Sequence, residues 1–267
     1  MTYFGFLGIF LVIPILLLSA IHAWENRRAS RPYWTLSPWW VLGAHVLLAL
    51  IYTTPWDNYL VATGVWGYDP ARVTGITLGW VPIEEYTFFI LQPILTGLWL
   101  LWLWRRGWAT ESSPASTPWR RRILAALGLL WLLMVGLLLS RWQAITYLSL
   151  TLSWALLPIL LQIGVGGDIL WRQRRLVGLG IGVPTLYLAA ADALAINAGI
   201  WSISPTQSLP ILLFGLLPLE EFIFFLITNI LVVLGATLAL NPAMHVRLRA
   251  WLSRLRAWRV AFSPKRV

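Results

Sequence analysis

The sequence predicts an all-α, polytopic membrane protein, with seven transmembrane helices arranged as two parallel three-helix repeats plus a connecting helix. Three observations carry that prediction. Apolar runs recur from end to end of the 267 residues, basic residues cluster in alternate connections, and a motif that starts at Pro82 returns at Pro218. With 59% apolar and only 11% charged residues, the chain lacks the polar surface that a soluble domain of this size needs, which excludes a water-soluble enzyme. A formal net charge of +10 would suggest nucleic acid in a soluble protein. Here the arginines flank apolar runs and orient the chain in a bilayer, so no nucleic-acid partner is expected.

Crossing about 30 Å of hydrocarbon takes roughly 20 helical residues. Runs of that kind lie at 3 to 22, 37 to 57, 75 to 103, 123 to 140, 144 to 165, 176 to 198 and 209 to 239. The first run lacks the basic start and small-residue cleavage site of a removable signal peptide and is therefore kept as a helix. The segment 107 to 119, with its ESSPASTP stretch, reads as a flexible linker.

Basic residues test the order of these runs. Arg27, Arg28 and Arg31 follow the first, Arg105, Arg106, Arg120, Arg121 and Arg122 the third, and Arg172, Arg174 and Arg175 the fifth; the tail adds Arg247, Arg249, Arg254, Arg256, Arg259, Lys265 and Arg266. Only Arg72 and Arg141 fall in the alternate connections. One face therefore carries the positive charge, which places the protein in the cytoplasmic (inner) membrane with its N-terminus outside and its C-terminus cytoplasmic. The basic tail is expected to face anionic lipid.

The element PIEEYTFFILQPILTGL from Pro82 returns as PLEEFIFFLITNILVVLG from Pro218. Further upstream, WDNYLVATGVW, with Asp57, Gly64 and Trp66, aligns with ADALAINAGIW, with Asp192, Gly199 and Trp201. The implied organisation is a first repeat over 1–106, a linker and connecting helix over 107–143, a second repeat over 144–240 and a basic tail over 241–267. An unpaired middle helix lets both copies run in the same direction, with a pseudo-twofold axis along the membrane normal.

Six of the ten acidic residues belong to this repeat: Asp57, Glu84, Glu85, Asp192, Glu220 and Glu221. A carboxylate in an apolar span costs on the order of 2 to 3 kcal/mol by insertion scales, so these should face inward and share protons. Pro82 and Pro218 are expected to bend their helices at the depth of the acids. Phe88, Phe89, Phe224 and Phe225 make part of each acid's surroundings aromatic. A neutral carboxyl in a dry aromatic pocket can protonate an alkene, π faces and a carboxylate can stabilise the cation, and a base can take another proton away. Trp66 and Trp201 are candidates for closing the outer side of that pocket. Most of the other tryptophans, such as Trp39, Trp40, Trp102 and Trp104, read as interfacial anchors.

The duplicated PIEEYTFF and PLEEFIFF elements, with their Asp and Gly-x-Trp companions, resemble the membrane lycopene cyclase family over nearly the whole chain, in the fused form that holds both halves in one polypeptide. That resemblance implies an isomerase of carotenoid biosynthesis, a carotenoid end-group cyclase and foremost a lycopene beta-cyclase, acting on lycopene or a related C40 or C50 polyene. The partners it implies are a lipophilic carotenoid, membrane lipid and other carotenoid enzymes, and it implies no cofactor. The family's acidic motif carries over to Glu84, Glu85, Glu220 and Glu221 as catalytic residues, with Asp57 and Asp192 supporting and Trp66, Phe88, Phe89, Trp201, Phe224 and Phe225 binding substrate. Gln92 aligns with Thr228 and Pro93 with Asn229, so the halves are not equivalent. Whether the ring is β, γ or ε stays open, as does which acid gives the proton.

Simpler readings stand beside these. Paired glutamates can join helices without doing chemistry, and His22, His45 and His245 read as packing residues with no metal-ligand spacing. The chain has no cysteine and so no thiolate chemistry. A retinal photoreceptor needs a lysine inside a helix, and the single lysine here is Lys265. Neither a G-x-G-x-x-G flavin fingerprint nor an Asp-rich diphosphate motif is present. A proton-coupled transporter and a carotenoid end-group hydratase remain the alternatives.

Overall fold

The computed structural model describes residues 1–26, 34, 36–109 and 118–261. Arg27, Arg28, Arg31, Lys265 and most of the expected linker lie outside the described residues. The chain is mostly helical, and among the described residues six helices are long and apolar enough to cross a membrane. These are α1 (Tyr3–Glu25), α3 (Ile83–Trp108), α4 (Trp119–Leu139), α5 (Gln143–Arg172), α6 (Arg174–Asn197) and α7 (Leu219–Leu240). Between the first two lies α2 (Pro38–Ala62), as long as the others but interrupted by polar residues and by Pro55. A last helix, α8 (Pro242–Ala261), carries the basic tail.

Helices α3 and α7 form the centre. Helix α3 packs on α1, α2, α6 and α7, while α7 packs on α2, α5 and α6; α4 lies to one side against α5. Leu16, Leu47, Ile51, Leu129 and Leu161 point outward and are more than half exposed, as lipid-facing positions should be.

Prolines inside helices free a carbonyl four residues back, and the structure reuses two of these. Pro158 leaves the Trp154 carbonyl open, and Tyr52 donates its hydroxyl to it at 2.9 Å. Tyr187 does the same for the Phe10 carbonyl, opened by Pro14, at 2.9 Å. Polar side chains thereby join α2 to α5 and α6 to α1.

At the end where α2 and α6 stop, Gly64 (φ 71°) and Gly199 (φ 68°) take the left-handed conformation that ends a helix cheaply only with glycine. Each chain then runs directly into a strand. Strand β1 (Trp66–Tyr68) pairs antiparallel with β4 (Trp201–Ile203), with Gly67 opposite Ser202. The ribbon is closed at both ends by Asp69 N–H to the Ile200 carbonyl at 3.2 Å and Ser204 N–H to the Val65 carbonyl at 2.9 Å.

Two small hairpins follow, β2 (Thr77–Leu78) with β3 (Val81–Pro82), and β5 (Leu212–Leu213) with β6 (Leu217–Pro218). They correct two expectations. The apolar runs starting at 75 and 209 are not helical throughout, since helix begins only at Ile83 and Leu219. Pro82 and Pro218 do not bend a helix either. They are its N-caps in extended conformation, where no backbone donor is needed. The acid pairs therefore sit in the first helical turn, where the helix dipole favours negative charge.

The opposite end carries most of the described arginines. Arg247 does not face lipid as expected of the tail; its guanidinium forks onto Asp168 at 2.9 and 2.6 Å and also reaches the Val165 carbonyl. The three histidines pack helices, each with a ring nitrogen on a backbone carbonyl.

Candidate active site

Adjacent glutamates at a helix start point about 100° apart, and the structure gives the two members of each pair different surroundings. Glu84 turns back to its own loop, where Oε1 accepts the Thr74 N–H at 2.6 Å. Glu220 accepts the Leu209 N–H at the same distance, 2.6 Å. These two acids hold the chain segments that lead into the hairpins, and neither lines the chamber described next.

Glu85 and Glu221 face inward, into a chamber between the ribbon and the starts of α3 and α7. Oε2 of Glu85 accepts two phenols, Tyr3 at 2.5 Å and Tyr68 at 3.1 Å. Oε1 of Glu221 accepts Tyr147 at 2.8 Å. Asp192, on α6, joins them; its Oδ1 accepts the Trp201 indole N–H at 2.9 Å, while Oδ2 is buried without a partner. Burial, with the Glu85 carboxyl next to it, holds the Tyr68 phenol well above its ordinary range, so that it stays a donor.

Aromatic side chains complete the wall. Trp66, Trp201, Phe6, Phe88, Phe224 and Phe225 line the chamber, with Leu188. Trp201 lies against Tyr3, ring centroids 4.8 Å apart, and Trp66 meets Phe224 edge-on at 5.6 Å. Behind them Trp56 is stacked between Trp154 at 4.7 Å and Phe224 at 5.7 Å. The chamber is tight, about 30 Å³, room for a water or two by volume. A second cavity of about 360 Å³, far more apolar, begins on the other side of Phe88 and Phe224.

Most of the sequence-derived site therefore comes together, but unequally. Glu85, Glu221, Asp192, Trp66, Trp201, Phe88, Phe224 and Phe225 share the chamber, whereas Phe89 lines only the larger cavity. Asp57 is fully buried with neither oxygen bonded, and it lies outside the chamber wall. Sequence reading missed the three tyrosines. A signal for two of them existed: Thr2-Tyr3 with Pro14-Ile15-Leu16-Leu17 recurs as Thr146-Tyr147 with Pro158-Ile159-Leu160-Leu161. Tyr3 N–H donates to the Arg72 carbonyl at 2.8 Å and Tyr147 N–H to the Gln207 carbonyl at 2.9 Å, so both helix starts are anchored to the loops that follow the ribbon strands.

Apolar helices around a buried cluster of carboxyl, phenol and indole groups define a class: helical membrane proteins with acidic groups gathered in an aromatic interior. Comparison with known proteins narrows it. Two Halobacterium salinarum proteins, from strains R1 and NRC-1 and both described as lycopene beta-cyclase, are 40% identical to this chain over 240 residues, covering 89% of it and 95% of each of them. A bifunctional lycopene cyclase/phytoene synthase of Aspergillus oryzae is 35% identical over 207 residues, covering 76% of this chain and 35% of that protein. The chain belongs to the lycopene cyclase family. No protein-family profile matches it, and no solved structure matches it.

Proposed function

We propose that this protein is a carotenoid end-group cyclase, a lycopene beta-cyclase that closes linear ends of lycopene into rings. The observation that carries this reading is the convergence of Glu85, Asp192 and Glu221 in one aromatic chamber, in a chain 40% identical to proteins described as lycopene beta-cyclase. The reaction is an isomerisation. A carboxylic acid adds a proton at C2 of the terminal double bond, leaving a cation at C1. The electron pair of the 5,6 double bond attacks C1, closing the ring and moving the cation to C5. Loss of the C6 proton to a carboxylate gives the β ring and restores the proton count.

Roles follow from hydrogen bonding. Two phenol donors on one oxygen suit an ionised group, so Glu85 is assigned as the carboxylate that faces the cation and collects the departing proton. Glu221, with one phenol, and Asp192, with one indole, are assigned as the proton donors. Three acids in a dry space cannot all carry charge without a cation beside them. The rings of Trp66, Trp201 and Phe224 offer π faces to the cationic carbons. Glu84, Glu220 and Asp57 support the frame.

The same reading takes α2 as a seventh membrane span and divides the chain into halves over 1–106 and 144–240, related by a pseudo-twofold axis between Gly67 and Ser202. Support comes from equivalent bonds in both halves, such as Tyr3 to Glu85 and Tyr147 to Glu221. It also places the ribbon outside and the arginine-rich end in the cytoplasm of a cell whose inner membrane holds the protein. Expression in lycopene-accumulating cells, with chromatography of the pigments, tests the proposal. Monocyclic or bicyclic carotenes are expected; a hydrated acyclic product would indicate a hydratase, and unchanged lycopene with inserted protein would favour a proton-coupled transporter.

A further inference from the structure

The chamber has room for a water or two, so a long linear substrate must lie elsewhere and bring its end group up to the chamber wall. The 360 Å³ cavity has the required position and shape. Four helices each give it a stripe at helical spacing: Ala49 and Thr53 on α2, Phe88 on α3, Trp154 on α5, Phe224 and Thr228 on α7. From His45 to Thr53 the stripe covers eight residues, about 12 Å along the helix axis. The cavity is thus elongated parallel to the helices. Phe88 and Phe224 belong to both its wall and that of the carboxyl chamber, so the two spaces are separated only by side chains. Its mouth opens sideways: Leu48 and Leu161 line it and are 61% and 67% exposed on the lipid-facing surface.

Across α3 and α7 the matching room is filled. Asn229 Oδ1 accepts Thr96 at 2.6 Å and Gln92 at 2.9 Å, and its amide donates to Thr185 at 3.2 Å. A side chain at Gly180, the counterpart of His45, would meet Leu100 at 3.1 Å and Val233 at 3.2 Å. The pair Gln92 and Asn229, where the halves differ in sequence, thereby makes the molecule one-sided.

We propose that the acyclic polyene enters laterally from the hydrocarbon between α2 and α5 and lays its leading part in this cavity, the rest staying in the bilayer, with its terminus against Phe88 and Phe224, whose side chains move aside to join cavity and chamber. This rests on the cyclase reading and assigns the substrate's path. A chain of conjugated carbons has no polar group to satisfy, and an apolar slot open to the bilayer needs no aqueous step to load it.

The test compares Ala49→Phe, which fills the slot, with Val183→Phe, the counterpart of Leu48 on the closed side. Both are assayed with lycopene and with a shortened conjugated polyene bearing the same acyclic end. Ala49→Phe is expected to lower lycopene cyclisation at least about tenfold and to abolish copurification of the pigment, as overpacking of a well-fitted site does. It should still cyclise the shortened polyene, and Val183→Phe should behave as native. Native rates on lycopene in Ala49→Phe, equal loss on both substrates, or equal loss in Val183→Phe would overturn the assignment. A native protein that retains lycopene in an Ala49-sensitive manner without cyclising it would keep the cavity and sink the cyclase reading. One that neither retains nor cyclises it sinks both.

Discussion

The hydroxyl of Tyr3 lies 2.5 Å from Oε2 of Glu85, 82 residues further along the chain, and both groups are buried. Tyr68 reaches the same oxygen at 3.1 Å. A hydrogen bond to a charged group contributes about 1.5 to 3 kcal/mol, so Tyr3→Phe is expected to slow cyclisation by roughly ten- to a hundredfold. Tyr68→Phe, with the longer bond, should cost less. Both should accumulate to native levels in the membrane, and the deficit should appear in kcat. An unaltered kcat for Tyr3→Phe would remove the phenol from the machinery.

Within each acid pair, one member lines the chamber and the other bonds the loop before its own helix. Glu85→Gln and Glu221→Gln are expected to cost at least about a hundredfold in turnover with normal insertion, since an amide can neither give nor take the proton. Glu84→Gln keeps an oxygen for the Thr74 amide, so its activity should stay within about tenfold of native. Glu84→Ala leaves that amide without its acceptor and should lower stability by about 1 to 3 kcal/mol, read as a lower apparent Tm. Equal inactivation by Glu84→Gln and Glu85→Gln would mean that both carboxyls react.

Asp57 and Asp192 stand at equivalent places in the sequence but in different environments. Asp192 is held by Trp201 at 2.9 Å and lines the chamber, whereas Asp57 has no partner on either oxygen. Asp192→Asn is therefore expected to lose at least about tenfold in turnover. Asp57→Leu removes an unsatisfied buried carboxyl of similar size, a change that is often neutral or stabilising. It should express as well as native and keep most activity. Measuring pigment conversion and thermal inactivation side by side checks both.

The helical membrane architecture was legible because apolar length and basic clustering are properties of whole segments, insensitive to a few residues. The acid sites were legible because carboxylates in such segments are costly, and because Glu85 and Glu221 recur with the same neighbours. Three things were hidden. Thr77–Pro82 and Leu212–Pro218 are apolar enough to continue a helix, and only the glycines at 79 and 215, with positive φ, mark them as hairpins. Which glutamate of a pair faces the chamber depends on where the helix begins, and that is set by Pro82 and Pro218 as caps. The tyrosines approach from distant segments: Tyr147 lies 74 residues before Glu221, a pairing that no local pattern encodes.

Gly64 and Gly199 connect this frame to the chemistry, since each is followed two residues later by a chamber tryptophan. Neither has an atom within 4 Å of where a Cβ would sit, so a methyl group there meets no steric obstacle. The cost of Gly64→Ala or Gly199→Ala is then the left-handed backbone alone, about 1 to 2 kcal/mol. Gly128 on α4 is also free of neighbours but is helical, and Gly128→Ala should be neutral or stabilising by up to about 1 kcal/mol. If the ribbon positions Trp66 and Trp201, the first two variants should lose turnover beyond what their stability loss explains, measured well below their apparent Tm. Relaxing the φ of 71° or 68° turns β1 or β4 and moves an indole that forms part of the chamber wall. A stability loss with native turnover at low temperature would instead make the ribbon a clamp between the two halves with no part in shaping the chamber.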